Sequence, residues 1–421
     1  MRSLSIGLVY ETFETYPVHP GDPPDAHVEY EPESTIEALE SAIKTLGHRP
    51  LRLGSPHALL ERLAAAGRPE VDVVMNLAEG FGGRNREAWA PVLLEMAGVP
   101  MLGSDALSLS LSLDKAWANA FLGAAGVPVA PRVVLGDAAA ARTATLPAPF
   151  PLFVKPRWEG TAKGIRPSSK VETRAALERE VERIRRDYDQ PALVEAFVPG
   201  PEFTVSLIGN GPPAALPAVQ RALDRATGIG IHALEGPGHG PGARAAGWPG
   251  DPVPGCEAGW PGGLEAALEP VTPGQLEPAL EARLAQLAIR AFEALECRDF
   301  ARVDFRLDAT GEPVFLEINP LPTFATDGTF AILAELEGTT LDAMLGRCIR
   351  AGLERLGLAE PGRAEDASCG VLATPLGAAE ARCARPRPLR SGRSGQSEGM
   401  ARADATSAAG AYGEAAIRGT E

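Results

Sequence analysis

The first hundred residues alternate short apolar segments with amphipathic ones. Ser34, with Glu37 three residues later, forms a capping box. It predicts a helix that runs through Leu46 and stops at Gly47. Because strands and helices alternate, we expect a parallel sheet covered by helices. The predicted strands are residues 4–10, 51–53, 71–75 and 98–102.

Further helices are predicted by capping residues and charge patterns. Asp114 predicts the N-cap of a helix that runs through Ala125 and ends at Gly126. Residues 173–188 predict a charged helix, and residues 276–295 predict another.

Two internal segments show no clear period. Residues 13–32 are rich in Pro, Gly and acids and predict a long loop. Residues 228–274 are dense in Gly, Pro and Ala. An insertion of this kind is usually a functional lid or a disordered segment, and we expect a lid over a functional site. Beyond residue 359 the chain has few large apolar residues, so residues 359–421 are predicted to be a disordered tail.

A hairpin carrying acids is the most informative pattern. Apolar alternation at residues 301–305 and 315–320 surrounds a turn with Asp308 and Gly311. Side chains on a strand alternate between faces, so Glu317 and Asn319 share one face of their strand. Asp304 lies on the neighbouring strand, and Arg302 shares its face. The alternative is an ordinary edge hairpin with solvated acids.

This hairpin offers three hard oxygen ligands, which suit Mg²⁺ held between protein and phosphates. Arg302 would place a fixed cation beside the metal, where it could bind a forming anion.

Composition excludes some classes of function. The 421-residue chain has a net charge of −15 and a pI near 5.0, which argues against nucleic acid as the partner. Its length predicts two or three domains. Five dispersed cysteines are typical of reduced thiols. No apolar run has the length of a membrane span or the pattern of a signal peptide, so we expect a cytoplasmic protein without a membrane partner.

Lysine is rare in this chain, and three of its five lysines fall inside candidate motifs. Because arginine is used elsewhere, a retained lysine indicates that a compact ammonium is needed. The five are Lys44, Lys115, Lys155, Lys163 and Lys170.

Four segments in this order resemble the ATP-grasp ligases, most closely the D-alanine–D-alanine ligase family. Besides the hairpin, they are Gly103–Asp105 leading to Leu113–Lys115, Phe153–Pro156 leading to residues 159–164, and Val194–Thr204. The resemblance covers roughly residues 70–350. It implies an α/β and α+β architecture: an N-terminal parallel α/β (pre-ATP-grasp) domain followed by a two-lobed ATP-grasp fold. The implied ranges are 1–104, 105–200 and 201–358.

The resemblance also implies ATP-binding residues. Lys115 and Lys155 match lysines that contact the phosphates, Glu195 and Val198 match the hinge that reads adenine, and Glu202 matches the carboxylate that binds ribose. The turn at residues 159–164 has backbone N–H groups that can cradle phosphate oxygens. In that turn, Thr161 keeps a hydroxyl and Lys163 adds charge near the γ-phosphate.

Asp304, Glu317 and Asn319 match the family's metal ligands. The implied cofactors are ATP and Mg²⁺, expected as two ions, with Mn²⁺ as the alternative. In the implied reaction, a carboxylate attacks ATP to give an acylphosphate and ADP. An amine then forms an amide and releases phosphate, while Arg302 stabilises the oxyanion.

The amino-acid half of the site departs from the family. Thr323 replaces the usual Gly after the hairpin, and Thr329 falls near a serine that holds the substrate carboxylate. Glu31 and Glu33 are candidates for the substrate ammonium. Asn76 and Glu79 follow a strand, where ligands gather in α/β sheets, although loop capping by these two residues is an equal alternative.

The segment expected to close over the site lacks two residues that the family usually places there. Residues 222–274 contain neither Tyr nor Lys, although His232 is available.

The resulting hypothesis is an ADP-forming carbon–nitrogen ligase that acts on amino acids or small peptides. D-alanyl-D-alanine formation for peptidoglycan is the leading specific reading. The alternatives are a ligase for other amino acids or small peptides in specialised metabolism, and a non-catalytic ATP-binding protein. The resemblance also suggests a homodimer formed through the N-terminal domain.

Overall fold

The computed structural model describes residues 2–224, 227–230 and 276–360. The expected lid at residues 228–274, including His232, lies almost wholly outside the described residues. The predicted disordered tail at residues 359–421 also lies outside them, except for its first two residues.

The N-terminal part is a parallel sheet with helices, as the alternating pattern predicted. Its strand order is β2-β1-β3-β4, and all paired strands run parallel. Apolar residues of β1 and β3 are fully buried because both faces of the sheet are covered. The elements are β1 Ser5–Val9, α1 Glu33–Thr45, β2 Arg49–Gly54, α2 Pro56–Ala66, β3 Val73–Asn76, α3 Trp89–Met96 and β4 Met101–Leu102.

The capping box predicted at Ser34 is wrong. Helix α1 begins at Glu33, and its N-cap is Pro32, whose backbone is extended. The ring of Pro32 fixes φ near −69° and carries no N–H, so the chain enters the helix before Ser34. Ser34 therefore lies inside the first turn. The predicted end at Gly47 is supported by its left-handed φ of +80°.

The segment after β4 carries four α-helices and a second sheet. Asp114 caps α5 as predicted, with Oδ1 accepting from the Trp117 N–H at 3.2 Å. The antiparallel sheet has the order β5-β8-β6-β7, and α7 packs on it. The elements are α4 Ala106–Leu113, α5 Lys115–Ala124, β5 Arg132–Leu135, α6 Ala138–Thr143, β6 Leu152–Pro156, β7 Lys170–Val171, α7 Arg174–Tyr188 and β8 Ala192–Ala196.

The third sheet contains the predicted hairpin, formed by β12 and β13. Its order is β10-β9-β12-β13, and β11 also pairs with β9. One face of it packs on α8 around Phe203, Phe305 and Phe315. The elements are β9 Glu202–Ile208, β10 Ala214–Ala215, β11 Val219–Arg221, α8 Pro278–Ala294, β12 Phe300–Leu307, β13 Pro313–Asn319, α9 Thr329–Leu336 and α10 Leu341–Arg355.

The last helix joins the N-terminal core. Met344, Leu345 and Ile349 of α10 are buried in one cluster with Ile36 and Leu39 of α1. The three sheets fall one each into the predicted ranges 1–104, 105–200 and 201–358. The domain boundaries themselves stay predictions. Across the described ranges, no helix has both the length and the apolar character needed to span a membrane.

Candidate active site

The hairpin brings four predicted site residues onto one face. Asp304 lies directly opposite Glu317, and Arg302 lies directly opposite Asn319. Opposed residues of an antiparallel pair point to the same side of the sheet. The Arg302 guanidinium donates to Asp304 Oδ2 at 3.2 Å, and the Thr204 hydroxyl donates to Asp304 Oδ1 at 2.7 Å.

Two lysines reach this face, one from the second sheet and one from helix α5, which precedes that sheet. Lys115, the first residue of α5, places Nζ 3.1 Å from Glu317 Oε2. Burial alone would raise the pKa of Glu317, but Lys115, Lys155 and Arg302 together lower it to about 2. Glu317 is therefore held as a carboxylate.

Lys155 is paired with Glu195. These residues lie on the adjacent strands β6 and β8, and their Nζ and Oε2 atoms are 2.7 Å apart. Both side chains are more than nine-tenths buried. The residue predicted to contact phosphate and the residue predicted to read adenine thus lie side by side.

Glu202 lies at the start of β9, opposite Arg306 of β12. Its carboxylate is 3.9 Å from the Arg306 Nε. Burial, together with the nearby Asp304 carboxylate, raises the pKa of Glu202 to about 7. This carboxyl group therefore titrates near neutrality.

The turn at residues 159–164 joins β6 to β7, as expected, and has an unusual backbone. Thr161 and Ala162 have positive φ angles of +46° and +56°, and Gly164 has +79°. Two carboxylates of the N-terminal loop accept hydrogen bonds from backbone amides of this turn. Glu29 Oε1 accepts from the Gly160 N–H at 2.5 Å, and Asp25 Oδ2 accepts from the Gly164 N–H at 2.8 Å.

Most predicted nucleotide and metal residues converge on one cleft of about 270 Å³ between the second and third sheets. Arg221 also lines it and donates to the Thr329 hydroxyl at 2.9 Å. The predicted residues in its lining are Lys115, Lys155, Thr161, Lys163, Glu195, Val198, Glu202, Arg302, Asp304, Glu317 and Thr329.

An acidic cavity adjoins this cleft. It is lined by four glutamates and by Asn319, and it shares four residues with the cleft. The glutamates are Glu29, Glu31, Glu79 and Glu87, and the shared residues are Lys115, Thr161, Arg302 and Thr323. Glu31 Oε2 accepts from the hydroxyls of Thr35 and Thr323 at 2.9 and 3.1 Å. Burial raises the pKa of Glu87 to about 7, and burial beside Glu87 raises that of Glu79 well above its usual range.

Glu33 and Asn76 line neither the cleft nor the acidic cavity. Glu33 begins α1 on its outer side, where its half-exposed carboxylate pairs with Arg52. Asn76 is buried, and its Oδ1 accepts from the Ala78 N–H at 3.1 Å. The side chain of Asn76 therefore caps the loop that follows its strand, as the alternative interpretation proposed.

Sequence reasoning missed Asp25, Glu29, Arg86, Glu87 and Arg221. Asp25 and Glu29 lie in the loop at residues 13–32. This loop has no hydrophobic periodicity from which the direction of its side chains could be predicted. The one available signal was the run of acids in a segment otherwise rich in Pro and Gly.

The hairpin donors suit a divalent ion that also binds phosphate. In the described part of the chain, no group of three or more His, Cys, Asp or Glu residues is placed to hold a metal. Two carboxylates, Asp304 and Glu317, and the Asn319 amide face the same side. Mg²⁺ commonly takes one or two carboxylates and completes its shell with water and substrate phosphates. The residues present fit that arrangement.

The fold and the chain both have relatives. The structure of the D-alanine–D-alanine ligase from Bacillus anthracis complexed with ATP superposes with a TM-score of 0.57 at 18% identity, over 84% of this chain and 98% of that one. The described sheets therefore form an N-terminal α/β domain followed by an ATP-grasp fold.

Sequence comparison agrees with the fold. A family model described as "D-ala D-ala ligase C-terminus" matches residues 121–228 and 265–350. A D-alanine–D-alanine ligase of Mycolicibacterium vanbaalenii is 31% identical over 68% of this chain and 71% of its own length. An uncharacterized protein of Sinorhizobium fredii, y4sG, is 30% identical over 82% of this chain and 93% of its own. The chain belongs to the D-alanine–D-alanine ligase family.

Proposed function

We propose that this protein is an ATP-dependent, ADP-forming ligase that joins a carboxylate to an amine through an acylphosphate. The observation that supports this most is the single face formed by Arg302, Asp304, Glu317 and Asn319. Lys115 and Lys155 line the same cleft as Arg302, Asp304 and Glu317. A protein that only bound ATP would have no need of a buried arginine beside the metal donors.

ATP would lie in the cleft between the two ATP-grasp lobes. Lys115 and Lys155 would exchange their carboxylate partners, Glu317 and Glu195, for phosphate oxygens. Glu202 would accept from the ribose hydroxyls, and the segment from Glu195 to Val198 would read adenine. Asp304, Glu317 and Asn319 would hold Mg²⁺, or Mn²⁺, which neutralises charge on the phosphates.

Arg302 is the residue assigned to the chemistry. It lines both the cleft and the acidic cavity, so it lies where nucleotide and amino acid meet. Its Nε is buried and has no hydrogen-bond partner within the described residues. When the amine attacks the acylphosphate, the carbonyl oxygen becomes an oxyanion and phosphate then leaves. A preorganised N–H donor at that position stabilises the charge as it forms.

The acidic cavity is the proposed site for substrate ammonium groups. Glu31, Glu79 and Glu87 face it, and an ammonium would bring a positive charge to carboxyl groups whose pKa values burial raises. D-Alanine is the first substrate to test, because two of the three named relatives are D-alanine–D-alanine ligases.

One observation favours a second candidate, the ligation of other amino acids or small peptides. Thr323, which replaces a glycine of the family, projects its hydroxyl onto Glu31 at 3.1 Å in the acidic cavity. This changes the shape and polarity of the place where the amine would bind. A homodimer formed through the N-terminal domain and a cytoplasmic location stay predictions.

The experiment is phosphate release from Mg·ATP against a panel of D- and L-amino acids, with product masses read at the end. We expect release with at least one amino acid and a product heavier by the condensed residue. Arg302→Ala should lose that activity, whereas Arg185→Ala, which removes an exposed arginine paired with Glu182, should retain it.

The panel separates the readings. A D-alanyl-D-alanine mass supports the cell-wall reading, and another dipeptide mass supports specialised ligation. ATP binding without phosphate release under any amine would contradict the ligase proposal.

A further inference from the structure

Lys163 stands in the middle of the turn that would cradle the phosphates, and the sequence predicted it as a cation for the γ-phosphate. Its ammonium group is already engaged. Lys163 Nζ lies 2.9 Å from Glu159 Oε2 and 3.1 Å from Glu29 Oε2. The side chain is only 12% exposed. These contacts point it toward the N-terminal loop.

The same loop residues also hold the backbone on both sides of Lys163. Glu29 accepts from the Gly160 N–H, and Asp25 accepts from the Gly164 N–H. The Tyr188 hydroxyl donates to Asp25 at 2.8 Å and fixes that carboxylate in turn. The turn is thus attached to the N-terminal loop at three points: two amides and one ammonium.

Arg86 completes the charge balance. It is 2% exposed, bonds Glu29, and lies 3.7 Å from Glu159 Oε2. Its Nη1 also donates to the Trp158 carbonyl at 2.7 Å. Arg86 and Lys163 therefore both contact Glu29 and Glu159 in a buried group, to which Asp25 is joined through the backbone of Gly164. We call Asp25, Glu29, Arg86, Glu159 and Lys163 the turn clasp.

Glu29 and Lys163 both stay charged in the folded protein. Burial would raise the pKa of Glu29, but Arg86 and Lys163 lower it to about 2. Glu29 and Glu159 raise the pKa of Lys163 despite its burial. Burial, together with the nearby Glu29 carboxylate, raises the pKa of Glu159. The ion pair between Glu29 and Lys163 therefore persists at neutral pH.

The hydrogen bonds of the turn show which amides are left for a ligand. The N–H groups of Lys163 and Ile165 donate to carbonyls within the turn, at 2.8 and 3.0 Å. Those of Gly160 and Gly164 donate to the clasp. Among the described residues, the amides of Thr161 and Ala162 have no acceptor, and both residues line the cleft.

The conformation of Thr161 and Ala162 needs support from outside the turn. Both are non-glycine residues with φ near +50°, a region that L-residues adopt only when their surroundings enforce it. The clasp fixes the residues on either side of them, and so holds the two free amides toward the cleft.

We propose that Lys163 is a positioning residue that ties the phosphate turn to the N-terminal loop through Glu29 and Glu159. It does not bind the γ-phosphate. The phosphates are received by the amides of Thr161 and Ala162, which the turn clasp holds in place. This inference rests on the proposed function only in requiring that ATP binds in the cleft.

The test is the affinity for ATP and for AMP, measured by calorimetry without amino acid, in four proteins. They are the wild type, Lys163→Met, Glu29→Gln and the double variant. We expect Lys163→Met to weaken ATP binding about tenfold and AMP binding less than about twofold. In the Glu29→Gln background, Lys163→Met should add less than about a further twofold, because the tie is already broken.

Two variants complete the design. Lys163→Arg keeps the charge and should retain ATP affinity within about threefold of the wild type. Lys44→Met removes an exposed lysine of α1 and should change neither affinity.

The outcomes separate the inference from the function. Equal losses of ATP affinity from Lys163→Met in both backgrounds would mean direct phosphate contact and would overturn the tie. An unchanged ATP affinity in Lys163→Met would also overturn it, because the turn would not need the clasp. Failure of the wild type to bind ATP at all would instead contradict the proposed function.

Discussion

Lys115 and Glu317 form an ion pair between the two lobes of the ATP-grasp fold, with Lys115 Nζ 3.1 Å from Glu317 Oε2. Lys115 begins a helix that precedes the second sheet, and Glu317 lies on the last strand of the third. Both residues line the cleft. Nucleotide binding would replace this contact by phosphate and metal contacts.

Glu317 should therefore control the metal requirement. We expect Glu317→Gln to raise the Mg²⁺ concentration that gives half-maximal phosphate release about tenfold, because one anionic donor is lost. Titration of Mg²⁺ at fixed ATP measures this. Glu312→Gln, on the exposed end of the same hairpin, should leave the titration unchanged. A Mg²⁺ dependence identical in the two variants would remove Glu317 from the metal site.

Glu202 should make nucleoside binding depend on pH. Its pKa is raised to about 7, and a carboxylate accepts ribose hydroxyls better than the neutral acid does. Adenosine affinity should thus increase as pH rises from 6 to 8, by up to about tenfold. Adenosine is the right probe because it carries no phosphate that titrates in this range. Glu202→Gln should flatten the profile, and an unchanged slope in that variant would assign the titration elsewhere.

The same raised pKa bears on stability. The folded protein binds the Glu202 proton more tightly than the unfolded chain does. Protonation of Glu202 therefore adds to the free energy of unfolding, and this contribution is complete below the ordinary pKa of 4.5. It is lost as pH rises through about 7. Urea unfolding at pH 5 and pH 8 should show a smaller difference in the free energy of unfolding for Glu202→Gln than for the wild type. An equal difference would argue against a raised pKa.

Glu31 and Glu33 provide a test variant and a matched control for binding of the substrate amine. Glu31 faces the acidic cavity, whereas Glu33 lies outside it and pairs with Arg52. Glu31→Gln should raise the KM for the amino acid about tenfold or more with the ATP affinity unchanged, because an ammonium loses a charged partner. Glu33→Gln should leave both constants near wild type. Steady-state kinetics would contradict this placement if the two variants behaved alike.

Structural features that depend on the periodicity of neighbouring residues could be predicted from the sequence. Contacts between residues far apart in the chain could not. Alternation placed Arg302 and Asp304 on one face, and Asp114 capped its helix as its position indicated. By contrast, Glu29 meets Lys163 across more than a hundred residues, and no local pattern encodes that contact. The end of α1 followed from Gly47, whereas its start was set by the fixed φ of Pro32. Asn76 could not be resolved by sequence, because a strand-end amide serves loop and ligand equally well.

A buried ion pair should contribute strongly to the stability of the fold. Asp299 is fully buried and binds Arg355 of α10 through both oxygens, at 2.7 and 2.8 Å. It also accepts from the Gly103 N–H at 2.7 Å. Arg355→Met should lower the free energy of unfolding by about 3 kcal/mol, because it leaves a buried carboxylate without its cation. Arg185→Met breaks an exposed pair and should cost less than about 1 kcal/mol. Comparable losses in urea unfolding would contradict the prediction.

The acylphosphate is the central claim, and an isotope experiment tests it most directly. The amino acid that supports phosphate release is supplied with ¹⁸O in its carboxylate, together with unlabelled Mg·ATP. If that carboxylate attacks the γ-phosphate, each released phosphate carries one ¹⁸O atom from the amino acid, read by mass spectrometry. Phosphate without this label, with its new oxygen drawn from water, would show ATP hydrolysis in place of ligation and would contradict the account.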